Sequence, residues 1–465
     1  MKQIKHWTPN TYFIISSIII VVALLSWIIP AGEYNRMIID GKNIVIPESF
    51  HYVESNPQSI ADILRAPIKG FVEATLIIGF VLFVGGIFGI LHKTEAIDSM
   101  IKSIAKAHRK SDLIKKMLIP IFMIIFSLAG AVFGMSEEII PFILIFVPLA
   151  LALGYDSVIG VAIPFVGAGV GFAGAFLNPF TIGIAQGIAD VPLFSGIEYR
   201  IIVWFIVTSV AIIYVSIYAK KIKNNPQMSI TYKKDLELIK QLNLDEIEDY
   251  KGMNFSHKAV VVSFISGLLV LVWGVINLGW FIEEISAVFL TIGIVVAISG
   301  KLSIDETTNS FVAGAKDLVG TALIIAFARG ILIVSVEGKI IDTILYHMSS
   351  AVNNLHPIVA SQTMFLVQTF MNFFVPSGSG QAALTMPIMA PLCDLVGVSR
   401  QTAVLAYQFG DGFTNMIIPT SAVTMGVLAL ADIPWQKWAK WILPLEIVLF
   451  LIGLLLLIPP FFMNW

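Results

Sequence analysis

Five ionisable side chains lie within long apolar stretches: Glu137, Glu138, Arg329, Asp411 and Glu446. An ionised group at the centre of a bilayer costs roughly 3 kcal/mol or more unless it is paired or wetted, so groups in such places point to binding. The carboxylates outnumber the arginine four to one. Even if Arg329 forms a fixed ion pair with Asp411 or Glu446, the remaining carboxylates suit a cationic or zwitterionic ligand better than a dianion.

Uncharged polar residues gather in the same places, in four clusters. Ser136 joins Glu137 and Glu138; Ser377, Gly378, Ser379, Gly380 and Gln381 form a second cluster. A glycine-rich run from Gly167 leads to Asn178, Pro179 and Thr181, and a run from Gly410 through Asp411 and Asn415 leads to Thr420 and Ser421. Freed N–H groups at half-helix N-termini favour a carboxylate, and unwound carbonyls favour a cation. Glycines let backbone approach a ligand. The chemistry is binding and release, and the expected substrate contacts are Ser136, Glu137, Glu138, Asn178, Arg329, Ser377, Gly378, Ser379, Gly380, Gln381, Asp411, Asn415 and Thr420. No residue is expected to be catalytic, and no metal ligand is assigned.

The elements that hold these clusters follow from composition. Hydrophobic types make up 57% of the 465 residues and charged types only 13%, about half the share of a soluble domain. The chain is therefore read as an all-α polytopic membrane protein, whose useful ruler is the stretch able to cross about 30 Å of hydrocarbon. Nine stretches qualify: 11–30, 74–92, 157–188, 199–218, 258–277, 283–299, 318–336, 402–430 and 438–462. Two of them, 157–188 and 402–430, are long and rich in Gly and Pro, as helices broken in mid-membrane would be. The first stretch follows Lys2 and Lys5, but its length and the poor cleavage site at Pro30-Ala31-Gly32 favour a retained helix over a secretory signal. The net charge of −2 offers no footprint for nucleic acid, and Cys393 alone allows no intrachain disulfide.

Loop charge sets the expected orientation. With the N-terminus inside, the inner segments hold 21 Lys and Arg against 7 outside, so the N-terminus is expected in the cytoplasm and the C-terminus outside. Residues 31–73 read as a polar outer loop. Residues 94–116 read as an amphipathic helix on the inner surface. The segment 219–257 reads as a cytoplasmic linker between halves 1–218 and 258–465.

A repeat lies within those halves. Aligning Pro148 with Pro391 places Ser136 on Ser379 and Gly154 on Gly397; Gly86 falls on Gly330, and Ile97-Asp98 on Ile341-Asp342. The repeat spans about 70–192 and 310–434. Five crossings separate its counterparts if 117–153 and 357–396 are hairpins that enter and leave by one face. An odd number makes the repeats inverted, with the tips 134–138 and 376–381 meeting near the midplane. Irregular backbone is tolerated at that depth only in protein or a wet cavity, an arrangement that marks secondary transporters.

The stretches PSGSGQAALTMPIMAPLCDLVGVSRQTAVLAYQFGDGFTNMIIPTS (376–421) and LLSWIIPAGEY (24–34) resemble the YfcC-like carriers. That group is filed with the anaerobic four-carbon dicarboxylate carriers and includes proteins regarded as basic amino-acid antiporters. The resemblance implies the ion-transporter superfold, a homodimer with a scaffold and a mobile domain, and an elevator-like motion in the cell membrane. It also implies substrate, with a sodium ion or proton in some relatives, at 134–138, 167–181, 377–381 and 410–421. No cofactor is expected. The expected cargo is a small amino acid, foremost arginine or ornithine in exchange, with a four-carbon dicarboxylate as the alternative.

An intramembrane hydrolase is the rival class. A nucleophilic Ser377 or Ser379 would normally need a histidine base, and His6, His51, His92, His108, His257, His347 and His356 all fall in loops or at span ends.

Overall fold

The computed structural model describes residues 11–39, 42–241, 250, 252–352, 355–463 and 465. The basic segment 1–10 and linker residues 242–249 and 251 lie outside them. Helix α1 (Thr11–Ile28) precedes two short antiparallel strand pairs, 32–33 with 51–52 and 36–39 with 42–45. Then follow α2 (Ile60–Glu73), α3 (Thr75–Lys93), α4 (Ala96–Lys110), α5 (Asp112–Phe133), α6 (Ile143–Ala152), α7 (Ser157–Ala173), α8 (Ile184–Ile188) and α9 (Ile197–Asn224). Next come α10 (Tyr232–Gln241), α11 (Phe255–Leu278), α12 (Ile282–Ser299), α13 (Ile304–Asp317), α14 (Val319–Glu337) and α15 (Ile341–Ser350). The series ends with α16 (Pro357–Phe374), α17 (Gly378–Val396), α18 (Arg400–Thr414), α19 (Ala422–Leu430) and α20 (Trp435–Leu456).

Among the described residues, seven helices are long and apolar enough to cross a bilayer, and α1 and α7 are shorter apolar helices. Two expectations change in detail. The segment 31–73 is not loop throughout, because Ser59 caps α2 in a reciprocal capping box with Asp62. The helix expected over 94–116 ends at Lys110, where Ser111 turns extended and accepts the N–H of Ile114 to start α5.

The repeat is visible in the backbone. Left-handed residues recur at matched positions: Glu95 with Lys339, Gly154 with Gly397, and Asp190 with Asp432. Counterparts also exchange partners, as a two-fold axis requires: α2 packs on α14 while α13 packs on α3. Both crossings close on glycine. A Cβ on Gly70 would lie 2.3 Å from the Ala326 carbonyl oxygen, and one on Gly314 would lie 2.2 Å from that of Gly85. In the same way α1 packs on α14, and α12 on α3.

The two ends of each hairpin lie close together. Lys115, near the start of α5, and Leu153-Gly154, after α6, border one pocket with Ile239 of α10. A Cβ on Gly397, after α17, would lie 3.5 Å from Pro357 at the start of α16. α5 is long enough to cross by itself, yet α6 brings the chain back.

The broken helices run between the same two faces in opposite directions. α7 starts on the α10 face, where the Asp156 carboxylate accepts from the Ile159 N–H and from the hydroxyls of Tyr218 and Ser229. Burial raises the Asp156 carboxyl above its usual range despite these donors. Past α8, the Ala189 carbonyl accepts from Arg400 Nη1 at 2.8 Å on the other face. α18 starts there, and α19 returns the chain to Asp432, which is paired with Lys234 of α10.

Candidate functional site

The C-terminal ends of α7 and α18 meet. A Cβ on Gly412 would lie 2.4 Å from the Ala173 Cα, and Gln408 Nε2 donates to the Phe172 carbonyl at 2.5 Å. Each chain then opens. After α7, Asn178 caps a π turn (Pro179–Gly183) by accepting the Phe180 N–H; after α18, Ser421 caps α19 by accepting the Thr424 N–H.

Both hairpin tips reach this place. α5 ends at Gly134, whose φ of +73° suits glycine and whose Cβ would lie 2.5 Å from Asn178 Oδ1. Ser136 and a 3-10 turn (Glu137–Phe142) carry the chain into α6. On the other hairpin, Ser377 caps α17 by accepting the Gly380 N–H. Gly378, Ser379, Gly380 and Gln381 thus form the first turn of a helix and are not irregular backbone. Likewise Gly410 to Thr414 remain helical, and the break falls at 415–421.

The tips and breaks enclose a cavity of about 300 Å³. Of the expected contacts, Ser136, Glu137, Glu138, Arg329, Ser377, Gly378, Ser379 and Asn415 line it together. Asn178, Gly380, Gln381, Asp411 and Thr420 are not among its lining residues. Gln381 is buried between the arms of its hairpin, where Nε2 donates to the Gln368 carbonyl and to Gln368 Oε1. Asp411 stands one layer behind: Oδ1 accepts from Asn415 Nδ2 at 3.0 Å, and the buried Oδ2 lies 3.2 Å from where a Gly378 Cβ would be. Thr420 is buried with its hydroxyl unpartnered. Glu446, on α20, is also buried and does not line the cavity.

The partner of Arg329 is neither Asp411 nor Glu446. Its Nη2 lies 2.6 Å from Glu73 Oε1 at the end of α2, and both residues line the cavity. Composition alone places Glu73 in the 31–73 loop, whereas α2 carries it to the cavity wall. Asn372 at the end of α16 was also missed. Its amide donates to the Asp411 carbonyl, Thr414 Oγ1 and Asn415 Oδ1, fixing the break against the second hairpin. A lone asparagine in an apolar run was the available signal.

Charge in the cavity is unbalanced. Among the described residues its charged lining is Glu73, Glu137, Glu138 and Arg329. The Glu73–Arg329 pair cancels, leaving the two tip carboxylates. Glu138 folds back so that Oε2 accepts the Ser136 N–H at 3.0 Å.

The C4-dicarboxylate anaerobic carrier family, DcuC, matches residues 8–461. The chain belongs to this family. The carrier is 36% identical to YfcC of Escherichia coli (strain K12), named as a candidate basic amino acid antiporter, over 94% of each chain. It is 31% identical to an uncharacterized protein of Haemophilus influenzae, over 97% of this chain and 96% of the other. Among solved structures, the Alcanivorax borkumensis YdaH transporter shares 15% identity over 97% of the carrier and 98% of its own chain, with a TM-score of 0.43. Neisseria gonorrhoeae MtrF, of a class of antimetabolite efflux pumps, shares 18% over 97% and 95%, also with a TM-score of 0.43. Membership of this family makes the carrier a multi-pass membrane transporter and not an enzyme, which sets the hydrolase reading aside.

The tip geometry makes one prediction here. Gly134→Ala forces a side chain into a left-handed position and against Asn178, at a cost of about 1 kcal/mol for the backbone alone. Transport by the variant is expected to fall about tenfold, as a displaced tip moves Glu137. The check is initial uptake rate per folded protein after size-exclusion chromatography.

Proposed function

We propose that this carrier exchanges a small basic amino acid, foremost arginine for ornithine, by moving the hairpins and broken helices as one body past a scaffold of α1–α3 and α11–α14. The observation that carries the reading is the pair of carboxylates, Glu137 and Glu138, left uncompensated in the cavity. They would take the cationic side chain. The first turn of α17, with Ser377, Gly378 and Ser379 in the wall, offers N–H groups and a positive helix end to the α-carboxylate. The breaks at 174–178 and 415–421 give the body places for a coupling sodium ion or proton. Lysine-rich α4, α9 and α10 ends favour placing that face in the cytoplasm of a cell whose plasma membrane holds the carrier as a homodimer.

The family description favours a second reading, a four-carbon dicarboxylate. For that substrate Arg329 would have to leave Glu73. Counterflow in proteoliposomes separates the two. Labelled arginine is expected to accumulate against internal arginine or ornithine and not against succinate or fumarate; accumulation driven only by the dicarboxylates overturns the amino-acid reading.

A further inference from the structure

At the root of the first hairpin, away from the tips, lies a separate pocket of about 410 Å³. Five elements wall it: α4 through His108, α5 through Lys115, the end of α6 through Leu151 to Gly154, α9 through Lys223 and α10 through Ile239. Its volume falls within the range of about 300–1,000 Å³ common to small-ligand sites. Among the described residues its ionisable lining is His108, Lys115 and Lys223, and no carboxylate lines it with them.

The chain does not use up this positive charge. Lys223 makes no ion pair among the described residues, and its Nζ stands 5.1 Å from the centroid of the Tyr155 ring. His108 meets the same ring edge-on, with centroids 6.1 Å apart. The imidazole is only 3% exposed, yet its Nε2 is buried with no hydrogen-bond partner. Buried polar atoms in native proteins are nearly all hydrogen-bonded, so an orphan in the wall of a cavity points to a group that fills the cavity. Burial, reinforced by Lys223 and Lys115, pushes the imidazole down to about 4, so the ring is neutral beside two cations.

Depth narrows the choice of ligand. α5 becomes apolar enough to span the bilayer from Ile114, and Met117 and Ile121 are already exposed. The pocket therefore opens where the bilayer's polar heads begin, and its remaining wall of Leu151, Leu153 and Ile239 is apolar. Two cations and one N–H donor suit an oxyanion with several acceptor oxygens, and basic pockets between helices at this depth take lipid phosphates.

We propose that this pocket binds a phosphate group, presented by an anionic phospholipid head or by free phosphate, with Lys223 and Lys115 as counter-charges and His108 Nε2 as a hydrogen-bond donor. Occupancy joins α4, α9 and α10 to both ends of the hairpin that carries Glu137 and Glu138, so it steadies the tip from its root. The inference is independent of the cargo.

The test uses the full chain, stripped of lipid in detergent, and two probes: phosphatidylglycerol against phosphatidylcholine, and sodium phosphate against sodium chloride at equal ionic strength. Phosphatidylglycerol is expected to raise the melting temperature by about 3 °C or more over phosphatidylcholine, as filling a site that only the folded chain possesses would. Lys223→Gln is expected to cut that gain to below about 1 °C, and Lys223→Arg to keep most of it. Lys221→Gln removes an exposed charge of the same helix that does not line the pocket, and should leave the gain whole, which attraction to a merely basic surface would not. His108→Gln should also lose the gain; should it fail to fold, the three lysine variants decide. A gain from phosphatidylglycerol alone assigns the lipid head, and a gain from sodium phosphate assigns free phosphate as a ligand of the same site. No gain from either probe, or a gain that Lys223→Gln keeps or Lys221→Gln loses equally, overturns the site.

Discussion

Replacing Glu137 and Glu138 together by glutamine is expected to lower arginine exchange at least about a hundredfold while leaving the fold intact. Truncating one partner of a desolvated, hydrogen-bonded charge pair costs about 2–5 kcal/mol, and each 1.4 kcal/mol is tenfold. The fold should survive because neither carboxylate ties one helix to another. The contact made by Glu138 is local, to the Ser136 N–H, and a glutamine oxygen still accepts it, though more weakly than a carboxylate. The check is the initial rate of labelled-arginine counterflow beside the melting temperature in detergent. A double variant that exchanges arginine normally would place the cationic subsite elsewhere.

The repeat was legible because its markers are backbone requirements. Gly154 and Gly397 occupy left-handed turns after α6 and α17, and Asp190 and Asp432 do so after the broken helices. Prolines at 148 and 391 sit in matching hairpin arms. Such positions tolerate few residue types, so two halves that have drifted apart in packing still agree there. The clustering of Ser136, Glu137, Glu138, Ser377 and Ser379 was readable for the same reason: two tips on inverted hairpins have one place to meet.

Hydropathy passed over α2 and α13. Both are amphipathic helices too polar for a span, and their helical starts rest on serine caps, Ser59 and Ser303, that a window average dilutes. Missing α2 concealed Glu73 and with it the partner of Arg329. That pair joins residues far apart in sequence through a glycine-lined crossing, Gly70 against Ala326 and Gly330, and nothing local to either residue announces the other. Gln381 misled in the opposite sense. Its place beside a serine-glycine tip suggested a ligand contact, whereas one helical turn carries its amide inward to Gln368. In both cases the composition of a segment gave the kind of chemistry, and the register of a helix decided which side chains face the cavity.

Gly171→Ala is expected to damage the carrier more than any change outside the cavity. A Cβ there would lie 1.9 Å from the Ser127 carbonyl oxygen, and the reciprocal position, Gly130, would place one 2.2 Å from that of Ala168. α5 and α7 thus touch backbone to backbone, the contact that small residues permit between membrane helices. Overpacking by a methylene usually costs about 1–3 kcal/mol because side chains can give way. Here the opposing atoms are backbone carbonyls, so the two helices must part. Parting them strains the hydroxyl of Ser127, which joins Thr208 Oγ1 at 2.7 Å and accepts from Trp204 Nε1 at 2.8 Å, tying α5 to α9. It also moves the first tip, carried by α5, away from the break that follows α7, so the walls of the cavity separate. The expected outcome is a melting temperature lower by about 5 °C or more, with exchange reduced at least about tenfold. Ser127→Ala, which removes the hydroxyl and keeps the crossing, should cost only about 1 kcal/mol per hydrogen bond lost and spare most of the exchange. If Gly171→Ala melts and transports like the unaltered protein, α5 and α7 do not meet at these glycines, and the tip is held in place by other contacts.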